Sequence, residues 1–433
     1  MSKYEKLNLT AMENAARLKR GLPGDLDEVA RQGALQMLRE VLEVEVEEFL
    51  GRKRHERLRS GQAGSERDHE EFRGYRNGYG KERRVTVGSG TLPIRAPRVR
   101  ETPRGAGFAS HVLRSYERRS DRIKELIPEL YVQGLATGDF EPALRGLLGE
   151  GANLSPATVT RLKAKWEEEY EQWRQRPLNE HGYAYLWCDG VYPKAGLQED
   201  KTAFLVILAV NENGVKELLA LVEGYRESTD SWAEVLRDLK TRGLSDPKLF
   251  CGDGALGLWS AINEVYPHAR HQRCWVHKMR NVLTHFPQRL HPEVKLCLQR
   301  MYNATTKEDN LDLIRQFADT YGREYPRAVE CLRKDQDALL TFYSYPQEHW
   351  VSIKTTNTIE SVFATVKLRT NAARRIKSPR SALCLIFQLF LRAQRNWRRL
   401  NAPHVVINVI EGVKFENGLE AKPKKQSTAK HAA

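Results

Sequence analysis

Residues 183–190 read YAYLWCDG, a strand-forming, largely apolar run that ends on an aspartate and a glycine. The same ending recurs in PKLFCGD at 247–253, with Gly254 next. Between them lie KTAFLVILAV (201–210) and KELLALVEG (216–224), both of strand length and apolar, and SWAEVLRDLKTRG (231–243), whose apolar residues follow a helical period. After the second aspartate come a helix, LGLWSAINEVY (256–266), and a strand, ARHQRCWV (269–276). Three strands, a helix and then alternation predict an α/β fold, a mixed sheet covered by helices. Residues 278–345 break the rhythm. They are polar, charged and helical, and read as an insertion, after which the pattern resumes with helices at 357–370 and 379–399.

On the N-terminal side the pattern is different. Residues 25–60 read as helix, with Leu35, Leu38, Leu42, Val46 and Phe49 at steps of three and four, ending in the basic GRKRHERLRS. Residues 61–82 are Gly-rich and polar and predict a flexible loop. RRVTVGSGTLPIRAPRVR (83–100) alternates around Gly88-Ser89-Gly90 and predicts a β-hairpin. Residues 115–170 turn helical again. Within them DFEPALRGLLG and SPATVTRLKAKWEEEY form a helix-turn-helix pattern, with Ser155 as cap and Pro156 at the first position of the second helix. Two readings stand: the second helix enters a DNA groove, or the pair is ordinary packing or a dimer contact. The tail AKPKKQSTAKHAA reads as disordered.

Composition narrows the partners. The chain has 433 residues and a net charge of +14, enough for more than one domain. Residues 51–120 hold 18 Lys/Arg against 8 Asp/Glu, a net of +10, and Ser361–Ile410 holds ten Lys/Arg and no carboxylate. Both stretches suit a polyanion, nucleic acid before a membrane surface, since neither reads as an amphipathic anchor. No apolar run approaches the ~18 residues that span a bilayer, and MSKYEKLNLTAMEN lacks the apolar core of a secretion signal. A cytoplasmic, nucleoid-associated protein is expected. Six scattered cysteines argue against a disulfide framework.

The chemistry rests on three carboxylates: Asp189, Asp253, and Glu360 in TTNTIESVF (355–363). Two divalent ions about 4 Å apart can activate an attacking oxygen and stabilise a leaving one on a phosphodiester, and they need hard oxygen ligands. Strand ends on one sheet edge can bring Asp189 and Asp253 together, and the glycine after each leaves room for metal or phosphate. Taken singly, each has a plainer reading: Asp-Gly is a common turn, and Glu360 stands where a capping-box partner of Asn357 would. Lys367, two turns beyond Glu360 on the same helical face, could hold a phosphate, as could Arg374 and Arg375; a solvated basic face is the alternative. In RCWVHKMRN (273–281), Cys274 and His277 have the spacing of zinc ligands, but a structural site wants four and no second pair is visible. They are expected to pack or hydrogen-bond beside the site, with Lys278 and Arg280 facing DNA.

Several blocks together resemble the mutator-type transposases of bacterial insertion sequences: GYRNGYGKERRVTVGSGTLPIRAPR, ELYVQGLATGDF, LSPATVTRL, YLWCDGVYPK, RHQRCWVHKMRNVL and TTNTIES, in family order from about residue 74 to 361. The resemblance implies an RNase H-like catalytic domain with an Asp-Asp-Glu triad at Asp189, Asp253 and Glu360, two Mg²⁺ or Mn²⁺ ions per site, and a helical insertion before the glutamate. It places the family's Cys-x-x-His on Cys274 and His277. It also implies an N-terminal region that binds the terminal inverted repeats of the element. Arg83, Arg84 and Arg161 are expected DNA contacts. Three departures mark a divergent subgroup: Gly252-Asp253-Gly254 replaces a Ser-Asp-Ala-like setting, His271 stands where tryptophan is usual, and SVFATVKLRTNAARRI departs from the usual Asn-Arg-rich sequence after the glutamate.

The expected organisation is a DNA-binding region at 1–110 (helices and a hairpin) and a helical DNA-binding or dimerisation segment at 111–178. The catalytic core occupies 179–277 and 347–412, split by an insertion at 278–346, and the tail is 413–433. The expected activity is strand cleavage and transfer on double-stranded DNA, inverted repeats and target alike. It needs a homodimer or larger assembly and no nucleotide cofactor. A structure-specific nuclease on the same fold and a catalytically inactive, domesticated DNA-binding protein are the alternatives.

Overall fold

The computed structural model describes residues 26–56, 73–103, 107–133, 135, 139–149, 152, 156–192, 202–225, 228–372 and 378–421. The chain divides into two compact units, 1–160 and 161–433.

In the first unit, helix α1 (Leu26–Leu50) lays Leu42 on a small core of Val85, Leu92, Ile94 and Leu113. Strands β2 (Arg83–Val87) and β3 (Gly90–Ile94) form the predicted hairpin. The predicted loop at 61–82 is corrected in part: β1 (Tyr75–Tyr79) pairs antiparallel with β4 (Pro97–Arg100), while residues 57–72 lie outside the described residues. Acids on α1 fix this ribbon. Glu43 accepts from Arg76 Nη1 and Tyr79 Oη, both at 2.6 Å, and Glu45 accepts from the backbone N–H groups of His111 and Val112. Helices α2 (Asp121–Val132) and α3 (Phe140–Leu148) complete the unit, and α4 (Pro156–Arg174) leads into the second. Ser155, the expected cap of α4, lies outside the described residues.

The second unit is built on one five-stranded sheet of β5 (Tyr183–Val191), β6 (Thr202–Asn211), β7 (Lys216–Tyr225), β8 (Leu249–Gly252) and β9 (Arg270–Arg273), in the order β7-β6-β5-β8-β9. Pairs β7-β6 and β6-β5 are antiparallel; β5-β8 and β8-β9 are parallel. The mixed α/β fold is therefore as expected. Strands buried on both faces need no alternation of polar residues, which is why AFLVILAV is apolar throughout and wholly buried.

Alternation along the strands instead decides which layer each side chain meets. Leu186, Cys188 and Phe250 point into a core shared with Trp232, Leu236 and Leu239 of α5 (Thr229–Thr241) and Leu258 and Ile262 of α6 (Leu256–Val265). Ser228 caps α5, its Oγ accepting from Ser231 N at 3.2 Å. Tyr185, Trp187 and Cys251 point to the opposite face, where the chain at 349–353 covers them. Tyr185 Oη lies 2.7 Å from His349 Nδ1, Trp187 Nε1 donates to Ser352 O at 3.0 Å, and Cys251 Sγ donates to Ile353 O at 3.3 Å.

Helices α7 (Trp275–Leu283), α8 (His291–Asn303), α9 (Lys307–Tyr321) and α10 (Pro326–Lys334), with short turns, follow β9. Helices α11 (Asn357–Ala372) and α12 (Pro379–Gln394) follow. Residues 161–174 of α4 pack within this unit: Tyr170 Oη donates to Leu221 O at 2.8 Å, Tyr170 and Trp173 lie against Phe387, and Glu167 and Glu171 pair with Arg380. This part of the expected groove-reading helix is occupied by packing. Residues 413–421 of the expected tail are ordered against the second unit. Strands β10 (Phe415–Glu416) and β11 (Leu419–Glu420) form a hairpin whose Gly418 exchanges backbone hydrogen bonds with Gln347 and Tyr343. Residues 422–433 lie outside the described residues.

Candidate active site

The parallel register of β5 and β8 runs Tyr185↔Leu249, Leu186↔Phe250, Trp187↔Cys251, a constant offset of 64. The paired register stops at Trp187↔Cys251, two residues before each aspartate, and the ligand atoms of Asp189, Asp253 and Glu360 do not all lie within 4.8 Å of one another. Alternation places both aspartates on the face of Trp187 and Cys251, the face over which the chain at 349–353 passes on its way into α11. One detail differs from expectation: β5 does not end at Asp189 but continues to Val191 against β6 (Asp189↔Val206, Val191↔Phe204), while β8 stops at Gly252. The sheet edge opens there because one neighbour ends before the other.

Each aspartate is oriented by its own turn. Asp189 Oδ1 accepts from Gly190 N at 2.8 Å, and Asp253 Oδ1 accepts from Ala255 N at 2.9 Å. The glycines around Asp253 answer close contacts. A Cβ on Gly252 would stand 2.7 Å from Leu258 Cδ2, and Gly254, at φ +85°, would place one 2.0 Å from Arg273 Nη1. Gly254→Ala is therefore expected to cost at least about 1–2 kcal/mol from left-handed backbone alone, plus displacement of a buried guanidinium. A lower unfolding midpoint together with slower DNA cleavage checks it; wild-type values for both would contradict it.

Glu360 arrives on the first turn of α11. The approach is pinned to the sheet and to α7: Trp275 N donates to Lys354 O, and Thr356 N lies 3.4 Å from Cys274 Sγ. Cys274 N in turn donates to Gly252 O at 2.8 Å, one residue before Asp253. The capping-box reading of Glu360 is replaced by another contact: its Oε1 accepts from Thr356 Oγ1 at 2.5 Å rather than bonding to Asn357. A hydroxyl has one proton to give. Thr356 Oγ1 also lies 3.3 Å from Cys274 Sγ and 3.4 Å from His277 Nδ1, so its proton is shared among these neighbours and Glu360. Thr356→Val keeps the shape and removes this donor. A hydrogen bond to a carboxylate is worth about 1.5–3 kcal/mol, so cleavage should fall roughly tenfold or more with DNA binding unchanged; single-turnover cleavage beside a binding titration checks it.

His277 Nδ1 lies 3.6 Å from Glu360 Oε1. Its hydrogen bond to Cys274 raises its pKa above the ordinary imidazole value, helped by the charges of Cys274, Glu360 and Asp189 and opposed by burial. Burial pushes the Cys274 thiol up, but hydrogen bonds from His277 and Thr356 outweigh it and leave the thiol below its ordinary value. His277 thus senses two of the three carboxylates. His271, in the expected tryptophan position, stacks flat on Trp259 at 4.6 Å and fills that place as an aromatic plate.

A model of the Mutator transposase family matches residues 3–400. The chain belongs to the Mutator family of transposases. It is 44% identical over 296 residues to the transposase for insertion sequence element IS6120 of Mycolicibacterium smegmatis, covering 68% of this chain and 92% of that one. It is 41% identical over 300 residues to the transposase for element IST2 of Acidithiobacillus ferrooxidans (67% and 100%), and 29% identical over 383 residues to that for ISRM5 of Rhizobium meliloti (88% and 90%).

In this Mutator family member the basic residues singled out from sequence fall in different places. Arg84, Arg161, Arg280 and Lys367 are exposed. Arg83 is half-buried, and its guanidinium donates to Leu113 O and Arg114 O, both at 3.1 Å. Lys278 does not face solvent: its Nζ donates to Cys331 O at 2.6 Å and Asp335 Oδ2 at 2.7 Å. A lysine one turn into an amphipathic helix reads as surface, and only the helical insertion closing over it makes it interior. Arg374 and Arg375 lie outside the described residues. Sequence reasoning missed Thr356 and Arg273. Arg273 is buried against the Gly254 turn, Nη1 has no hydrogen-bond acceptor, and Nε lies 3.5 Å from Asp335. The TTNTIE and RCWVH blocks held both residues but gave no sign that Thr356 reaches Cys274 or that Arg273 packs on the Gly254 turn. No helix among the described residues is long and apolar enough to cross a membrane.

Proposed function

We propose that this protein is the transposase of an insertion sequence, binding the terminal inverted repeats of its element and catalysing strand cleavage and strand transfer at Asp189, Asp253 and Glu360. The observation that supports the reading is the parallel pairing of β5 and β8, the adjacent strands that carry Asp189 and lead into Asp253, with Glu360 on the first turn of α11. A mixed sheet flanked by helices and interrupted by a helical insertion supports an RNase H-like core.

Three carboxylates are the hard donor set that Mg²⁺ or Mn²⁺ requires. The second oxygen of Asp253 has no hydrogen-bond partner among the described residues, so the donor set fits. Asp189, Asp253 and Glu360 would hold two such ions, which when bound supply an activated water and neutralise charge on the scissile phosphate. The chain's own contributions are positional. Strands β5 and β8 would carry the two aspartates, Thr356 Oγ1 donates to Glu360, and His277 Nδ1 lies 3.6 Å from Glu360 Oε1. Water adds to phosphorus as the bond to the 3′ oxygen breaks, and the freed 3′-hydroxyl then attacks a target phosphate with no covalent protein intermediate and no nucleotide consumed. Exposed Arg84, Arg161, Arg280 and Lys367 contact DNA phosphates. Joining two ends needs a dimer or larger assembly, acting in the cytoplasm on nucleoid DNA. Purified protein with a duplex ending in the element's inverted repeats, in Mg²⁺ or Mn²⁺, is expected to yield new 3′-hydroxyl ends and joined products. Binding without either product would overturn the reading.

A further inference from the structure

Read from sequence, Cys274 and His277 are two zinc-type ligands with no partners. The fold adds a third. Cys274 caps α7, His277 lies one turn on, and Glu360 comes from α11, 83 residues beyond His277. One donor atom from each, sulfur, nitrogen and oxygen, falls within 4.8 Å of the other two, and His277 Nδ1 to Glu360 Oε1 is 3.6 Å. Tetrahedral zinc with bonds of 2.0–2.3 Å sets its donor atoms about 3.3–3.6 Å apart. The group therefore needs only small side-chain movement to close on such an ion. Among the described residues it is the one His/Cys/Asp/Glu group this tight.

We propose that Cys274, His277 and Glu360 form a binding site for a zinc-class divalent cation, and that filling it withdraws Glu360 from Asp189 and Asp253, switching strand cleavage off. The donor chemistry separates this site from the carboxylate pair. Thiolate and imidazole favour Zn²⁺ and Co²⁺, whereas carboxylates alone favour Mg²⁺ and Mn²⁺. The thiol gives its proton to solvent as the metal–sulfur bond forms, and three protein ligands leave a fourth position for water. The inhibitory half rests on the catalytic assignment of Glu360; the binding half does not.

The test uses the full chain, freed of metal by chelator and dialysis, and titrated with Co²⁺ alone. The expected result is one equivalent bound with a sulfur-to-cobalt charge-transfer band. That band should be lost in Cys274→Ser and kept in Cys297→Ser, while Glu360→Gln should keep it with affinity lowered roughly tenfold or more. Unfolding midpoints verify that each variant folds. Should Cys274→Ser fail to fold, the Glu360→Gln shift decides alone. No band, a band that survives Cys274→Ser, or an unshifted Glu360→Gln titration overturns the site. Zn²⁺ added to Mg²⁺-supported cleavage should inhibit reversibly, with the half-inhibiting concentration raised roughly tenfold or more in Cys274→Ser relative to that variant's own activity. Zinc that binds without inhibiting overturns the switch. If the wild type cuts no DNA at all, the proposed function fails instead, and the cobalt spectrum still decides the site.

Discussion

Asp189→Asn is expected to bind inverted-repeat DNA like the wild type and to cut it at least about a thousandfold more slowly. The substitution keeps the side-chain shape, and the amide oxygen can still accept from Gly190 N, which now bonds Asp189 Oδ1 at 2.8 Å. Stability should therefore change little. What disappears is one negative charge from the carboxylates proposed to hold divalent cations. A ligand of this kind supplies several kcal/mol of transition-state stabilisation, and about 4 kcal/mol corresponds to roughly a thousandfold in rate. The check is a gel-shift titration beside a cleavage time course on the same DNA. A variant that binds and cuts normally would remove Asp189 from catalysis; one that neither binds nor cuts would point to a folding defect.

Lys278→Ala is expected to act on stability and leave the DNA interface alone. The ammonium is 3% exposed and holds Asp335 Oδ2 and Cys331 O, tying α7 to the end of α10. Breaking a buried pair from one side costs about 3–5 kcal/mol. The low end, about 3 kcal/mol, applies because Asp335 is 27% exposed and keeps Arg273 at 3.5 Å. Arg280, two residues along and exposed, should behave in the opposite way: Arg280→Ala should barely change the unfolding free energy and should reduce the salt dependence of DNA binding by about one phosphate contact. Denaturant unfolding and affinity measured across a salt series separate the two. An unchanged denaturation midpoint with a reduced salt slope for Lys278→Ala would return that lysine to the DNA surface.

The sequence carried the sheet because its strands are buried on both faces, and runs such as AFLVILAV have no other stable use. Asp253 stands out for a related reason, as a charge directly after an apolar strand that stops at Gly252, whereas Asp189 lies within β5, which runs on to Val191. What the sequence could not show was register. The offset of 64 between β5 and β8 depends on how the two strands align, and nothing local encodes that. Strand β1 was missed because YRNGY, with its glycine and asparagine, looks like a loop until PRVR pairs with it from about twenty residues away. The hairpin of β10 and β11 was missed for the same reason, its two-residue strands being held by Tyr343 and Gln347. Thr356 and Arg273 carried no polar pattern of their own. Thr356 matters through Glu360, four residues on, and through Cys274 and His277 of a distant segment, and Arg273 through the Gly254 turn.

The central claim, that Asp189, Asp253 and Glu360 converge to hold divalent cations, is tested most directly by anomalous X-ray scattering from crystals of the protein on an inverted-repeat duplex grown with Mn²⁺. The account predicts manganese peaks between the carboxylates of Asp189 and Asp253, at roughly 2.0–2.6 Å from their oxygens, with Glu360 completing the coordination. Manganese bound elsewhere, with these three carboxylates directed away from one another in the DNA complex, would contradict it.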